Sequence, residues 1–301
     1  MRMKYLYFGG LMAVMAACQE QALPLETEKE MMPMRLEASI AQDASSARTV
    51  VNSDNGVSFS ENDCIGLFVP WEATARKWTY SGSSWTSESS VYWKDKTGNY
   101  TFYAYYPCGS QPAASYTAVP MPDLSSQAGT LDGMAAYDFL VASTTTSYSS
   151  NSGTLSFTGE NAFQHVLSRI SFIFDKSSMD EAVQLIHIRL SSDVLSADNT
   201  CNLTTKEISS TANSQHAIIS AIVNEQSEML VNPIDNATIT LSVVYQIDSE
   251  QVTVSKEISS FTLQKGSRNT MNVKVEQGTL SISNAEIASW GAGETFENVT
   301  L

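Results

Sequence analysis

Cys18 is the residue whose surroundings point most directly to a covalent reaction. It follows Ala16-Ala17 at the end of an apolar run from Tyr5 to Ala17, which itself follows Arg2 and Lys4. A charged start, a short apolar stretch and small residues make a secretory signal. A cysteine at the cleavage position resembles a bacterial lipobox, with Met15 where leucine is usual. The expected product is a lipoprotein that loses residues 1–17 and carries acyl chains, palmitate among them, on Cys18. Each methylene that such a chain buries is worth about 0.8 kcal/mol of membrane attachment. The alternative is a plain signal with an incidental cysteine. The apolar run is too short for a comfortable membrane span, which needs about 20 residues.

The other residues capable of chemistry are sparse. Cys64, Cys108 and Cys201 are three thiols, so at most one disulfide can form among them. Cys64 precedes one apolar run and Cys108 follows another; they could form a bridge or remain buried thiols. There are three histidines (His165, His187, His216) and no CxxC spacing, which gives no basis for a zinc site. No GxSxG, HExxH, P-loop or GxGxxG segment is present. The acids are scattered, and His165 and His187 both sit in strand-like runs. The expectation is a protein without catalysis, cofactor or metal.

Charge narrows the partners. Lys and Arg number 17 against 32 Asp and Glu, a net charge of −15. The first 17 residues hold two of the cations and no acid, so the remainder is more acidic still. Such a surface disfavours nucleic acid and anionic lipid as electrostatic partners. Residues 18–34, "CQEQALPLETEKEMMPM", read as an acidic tether, with prolines at 24 and 33.

Strands have to position everything that follows. "RLEASIA", "CIGLFVP", "YTFYAYYP", "GTLSFTG", "HVLSRISFIF", "QLIHIRL", "ATITLSVVYQI", "VTVSKEI", "MNVKVEQ" and "TLSIS" are short, β-branched or aromatic, and separated by Gly/Ser/Asn turns. In "ATITLSVVYQI", Ile239, Leu241, Val243, Tyr245 and Ile247 share one face. "DKSSMDEAVQL" could hold a helical turn or two. The reading is all-β, an antiparallel sandwich architecture. The length suggests two domains, 35–160 and 161–301, with a seam at "ASTTTSYSSNSG" and the strand after it. Eleven aromatics from Trp71 to Tyr106 would fill a core, or stack on sugar rings if exposed.

The order of these segments resembles the fimbrillin family, the type V pilus subunits and related surface lipoproteins of Bacteroidetes. The resemblance rests on "SFSENDCIGLFVP", "WTYSGSSW", "YWKDKTGNYTFYAYYP", "FQHVLSRISFIF", "LQKGSRNTMNVKV" and "ISNAEIASWGAG", in that order. It implies two transthyretin-like β-sandwich domains and an outer-membrane or cell-surface location. It also implies assembly in which an arginine is cut, an N-terminal strand leaves, and another subunit's C-terminal strand takes its place. Carried onto this chain, the cut falls after Arg48, with Arg35 as the alternative. The released strand holds Leu36, Ala38 and Ile40, and the donor segment holds Phe296, Val299 and Leu301. The partners would be other subunits and, through Cys18, the membrane. The competing reading is a stand-alone anchored lipoprotein that keeps its N-terminal strand and serves as tip, anchor or binder of a glycan or host ligand.

Overall fold

The structure is a computed structural model that describes residues 31–41, 58–212 and 214–289, with only the backbone course for 284–289. The first ten strands are β1 (Arg35–Ala38), β2 (Cys64–Phe68), β3 (Arg76–Tyr80), β4 (Trp85–Ser87), β5 (Tyr100–Tyr106), β6 (Val119–Pro120), β7 (Ser126–Gln127), β8 (Leu140–Thr146), β9 (Thr154–Phe157) and β10 (Gln164–His165). Six of them form a sheet in the order β10-β8-β5-β2-β3-β4, and β1 pairs with β9 in a separate two-stranded sheet. The larger sheet is antiparallel at every step; the β1–β9 pair is parallel.

Alternation drives this half. In β2, Ile65 and Leu67 point to the interior, and in β5 Phe102 and Ala104 do the same. Much of the aromatic-rich stretch fills the core. Trp78, Trp85 and Trp93 are all buried, and Trp93 meets Phe102 edge to face at 5.3 Å between ring centroids. Trp71 is half-buried against Tyr100 and Phe102.

The remaining strands are β11 (Ser168–Asp175), β12 (Gln184–Ser191), β13 (Asn199–Asn202), β14 (Glu207–Ser210), β15 (Ala217–Ala221), β16 (Gln226–Val231), β17 (Ile234–Ile247), β18 (Glu250–Leu263), β19 (Ser267–Glu276) and β20 (Thr279–Ser289). They build a four-stranded sheet, β16-β11-β19-β20, a five-stranded sheet, β18-β17-β12-β15-β7, and a three-stranded sheet, β14-β13-β6. Ile170 and Phe172 of β11, Met271, Val273 and Val275 of β19, Ile188 and Leu190 of β12, and Leu241 and Val243 of β17 are buried in the core. Two short strands of the first half reach into the second. β6 pairs with β13, and β7 pairs in parallel with β15. Gln127 clamps this crossing: its side chain donates to the Leu230 carbonyl at 2.7 Å and accepts from the Leu230 amide at 2.8 Å. Asn199 and Asn232 exchange amide hydrogen bonds nearby.

Several local expectations shift. Ala142–Thr146, the Thr/Ser-rich start of the expected seam segment, belongs to β8, which is paired on both sides in the larger sheet. Thr144 and Thr146 are buried there, their small side chains tolerated where alternation alone gives no apolar signal. "DKSSMDEAVQL" forms turns, capped by Asp175 and Asp180 accepting from Ser177 and Ala182 amides. The helical turn is elsewhere, at Leu131–Met134, where Thr130 accepts the Gly133 amide. The run from His165 to Phe174 is broken at Val166–Leu167 into two strands of different sheets.

Gly66 shows how tightly the outer face of β2 is covered. A Cβ placed there would lie 2.1 Å from the Tyr105 ring. That ring is pinned, since its hydroxyl accepts the Ala113 amide at 2.8 Å. Gly66→Ala should therefore lower stability by about 1–3 kcal/mol through overpacking. Gly109→Ala, where nothing lies within 4 Å, should be close to neutral. Thermal melts followed by circular dichroism decide it; equal midpoints for the two variants would refute the packing assignment.

Candidate functional site

The histidines do not assemble into a catalytic group. His165 Nδ1 sits 3.0 Å from the buried carboxylate of Asp138, which also accepts the Phe139 amide at 2.8 Å. His216 Nδ1 lies 2.8 Å from the Leu195 carbonyl, and His187 is half-buried in β12. Among the described residues no grouping of His, Cys, Asp and Glu could hold a metal ion.

Cys64 and Cys108 are brought side by side, the Cys108 amide donating to the Cys64 carbonyl at 2.8 Å, and both are free thiols. Each thiol has a neighbour of its own: Cys64 Sγ is 3.4 Å from Thr79 Oγ1, and Cys108 Sγ is 3.5 Å from the Tyr105 hydroxyl. Burial raises the Cys108 thiol above its usual range and pushes Cys201 up to about 11. Thiols so buried hold little thiolate and are poor nucleophiles.

The arrangement that stands out is the seat of the N-terminal strand. Leu36 and Ile40 are buried and Ala38 half-buried, as their alternation requires. The buried series starts earlier than the sequence suggests. Met32 and Met34, assigned there to the end of the tether, are also buried. No strand signal marks "MMPM", because Pro33 interrupts it. The structure resolves this by giving Pro33 an edge position opposite Tyr92, where its missing N–H costs nothing.

Two different neighbours hold this segment. The Met34 amide donates to the Val91 carbonyl at 2.8 Å, and the Trp93 amide donates to the Met32 carbonyl at 2.9 Å. Beyond Met34 the chain switches partners. The Arg35, Ser39 and Ala41 amides donate to the carbonyls of Gly153, Phe157 and Phe163, at 3.1, 3.0 and 2.7 Å. Arg35 itself is exposed, its guanidinium donating to the Ser152 carbonyl at 2.8 Å. Four deeply buried apolar side chains, at about 1.5–3 kcal/mol each, give this segment roughly 6–12 kcal/mol of gross burial. That is comparable to the whole net stability of an ordinary domain.

A groove of about 740 Å³ lies beside β1, lined by Arg35, Leu36 and Ala38 together with Trp78, Tyr80 and Trp85 of the β3–β4 hairpin. Cys18, Arg48, Phe296, Val299 and Leu301 lie outside the described residues.

Comparison with known proteins gives one strong match. The sequence profile of a family described as fimbrillin-like matches residues 48–290. Among solved structures, a candidate cell adhesion protein from Bacteroides ovatus superposes with a TM-score of 0.63 at 18% identity, over 88% of this chain and 99% of that one. A second such protein, from Bacteroides uniformis, gives 0.59 at 14% identity, over 86% and 99%. A fimbrial protein from Bacteroides vulgatus gives 0.50 at 12%, again over 86% and 99%. At these identities the likeness is one of fold. No curated protein sequence matches.

Because β1 is held through alternate side chains, the cost of truncation should alternate too. Leu36→Ala and Ile40→Ala should each cost about 2–5 kcal/mol. Glu37→Ala, on the exposed side between them, should change stability by less than about 0.5 kcal/mol. Denaturant titrations of the three variants check this, and a Glu37 loss equal to that at Leu36 would contradict the seat described.

Proposed function

Because the chain belongs to the fimbrillin-like family, we propose that it is a structural subunit of a surface pilus that assembles by exchanging its N-terminal strand. Membership of the family carries a pilus- and adhesion-related role at the cell surface and assembly with other subunits. The finer reading concerns how the strand leaves and what takes its place.

The observation that carries the reading is the strand's seat. Met32–Ala41 is a short segment that fills deep apolar pockets, pairs with neighbours far along the chain, and lies before the region matched to the family, which starts at residue 48. As part of the chain it cannot drift away, because the local concentration of a tethered segment is very high. A cut after Arg48 turns it into a separate peptide that another strand can replace. The emptied seat would expose a row of unpaired backbone groups beside apolar pockets, the chemistry of strand addition. Arg35 is the weaker processing site, since its own backbone is paired in β1 and a protease needs an extended, unpaired substrate.

The remaining parts follow. Cys18 carries the lipid that delivers the precursor to the outer membrane. Phe296, Val299 and Leu301 are the apolar residues of the donor segment. The two sandwich domains meet near residue 160.

The test is N-terminal peptide mass analysis of the surface protein and of its Arg48→Gln variant. The reading expects chains starting at Thr49 in high-mass assemblies, and monomers of the variant that keep acylated Cys18. Wild-type chains that still begin at Cys18 would overturn it. They would favour the stand-alone anchored protein, in which β1 stays seated and the lipid is the lasting attachment.

A further inference from the structure

The N-terminal segment changes holders between Met34 and Arg35, and one residue touches both holders. Trp93 grips the segment with its backbone, its amide donating to the Met32 carbonyl at 2.9 Å. Its indole Nε1 donates to the Gly153 carbonyl at 3.0 Å, a partner 60 residues away in sequence. That same carbonyl accepts the Arg35 amide at 3.1 Å. A carbonyl oxygen has two lone pairs and can serve both donors. The strand, the stretch around Trp93 and the turn before β9 thus meet at one oxygen.

Both ends of this contact are fixed. The Trp93 ring is buried, edge to face with Phe102 and again with Tyr148 at 6.2 Å. Gly153 holds φ at +81°, a left-handed conformation that glycine adopts without a steric penalty. Its amide donates to the Tyr148 carbonyl at 3.0 Å, and a Cβ there would lie 2.8 Å from the Tyr148 ring. The preceding carbonyl, of Ser152, takes the Arg35 guanidinium. Trp78 makes the contrast. It is buried in the same core, yet its indole N–H has no hydrogen-bond partner among the described residues. Burying a large ring here does not by itself require a partner for the N–H, so the bond made by Trp93 is a specific one.

We propose that Trp93 is the latch of the N-terminal strand. A segment held by two separate stretches can peel from either one alone, a few hydrogen bonds at a time. The indole bond ties the two stretches together. Freeing Met32–Met34 from residues 91–93 and freeing Arg35–Ala41 from residues 153–163 then become one event, a single cooperative opening. Trp93 acts as a positioning residue: it sets how readily the strand opens and takes no part in cleaving the chain. The latch is a property of the uncut chain; its bearing on assembly rests on the pilus-subunit reading.

Hydrogen exchange of the full chain carrying Arg48→Gln tests this, followed at the amides of Met34, Arg35, Ser39 and Ala41. Trp93→Phe keeps an aromatic ring and removes the donor. It should speed all four amides together by about three- to tenfold, the effect of one hydrogen bond. Trp78→Phe removes the same atoms from the same core without losing a bond, and should speed them less. Replacing Trp93 with 3-benzothienylalanine, which keeps both fused rings and lacks only the N–H, repeats the test without leaving a cavity. Acceleration confined to Arg35 would overturn the latch, since the bond would then be local. So would equal acceleration in the Trp78 and Trp93 variants, which would make packing the cause, or no acceleration in the benzothienyl protein. In wild-type sequence cut after Arg48, the Trp93 replacement should shorten the time taken to lose the N-terminal peptide by the same factor. Four amides that move together in a chain whose cut peptide never leaves would uphold the latch and sink strand exchange.

Discussion

Covering the inner face of the six-stranded sheet is the constraint on which the first half of the molecule depends. Ile65, Leu67, Trp78 and Phe102 present an apolar surface that must be kept from water. Among the described residues the β1–β9 pair shares this core, and one of its two strands is the N-terminal segment. Met32, Met34, Leu36 and Ile40 supply the side chains, while the backbone is anchored at 91–93 and 153–163. A single short segment thus closes a core assembled by distant parts of the sequence. Much of what is distinctive here follows from that dependence: the deep pockets, the parallel pairing with β9 and the groove alongside.

The second half of the chain meets the same constraint in another way. Its two larger sheets cover one another with long strands, and the β17–β18 hairpin runs fourteen residues on each side. Glu228 gathers several of the polar groups in this half. Arg169 and Ser171 on the outer face of β11 both donate to Glu228 of the neighbouring β16, at 2.8 and 2.7 Å. Ser220 donates to the Glu228 carbonyl from β15, tying the two sheets at their edge. From the first half it takes only the two-residue strands β6 and β7.

Much of this was legible in the residue pattern. Apolar, β-branched or aromatic runs placed β2, β5, β11, β12 and β19, period-two alternation placed β17, and the same period in "LEASI" marked Leu36 and Ile40 for burial. What escaped the pattern did so for physical reasons. The second part of β8 is threonine and serine, whose small polar side chains read as a low-complexity seam although the strand is paired on both sides. Met32 and Met34 were masked by Pro33, which a single-sequence reading takes as a break and the fold takes as an edge. β6 and β7 are two residues each and owe their existence to long-range partners in β13 and β15, so no local signal announces them. The Trp78 donor and the groove it lines are properties of the assembled walls, since Trp78 and Leu36 are far apart in sequence.

The pairing of β1 with β9 also sets an order of events. Arg35 is matched with Thr154, and Ile40 with Phe163. These contacts span about 120 residues, and closing loops of that size is entropically slow. As the chain emerges from its N-terminus during export, this strand comes out first and its seat is completed late. It is therefore among the last pieces to dock, onto a sheet that β2, β3 and β5 have already organised through nearby pairings. A segment that arrives last makes little contribution to the folding nucleus, so truncating its buried side chains should speed unfolding more than it slows folding.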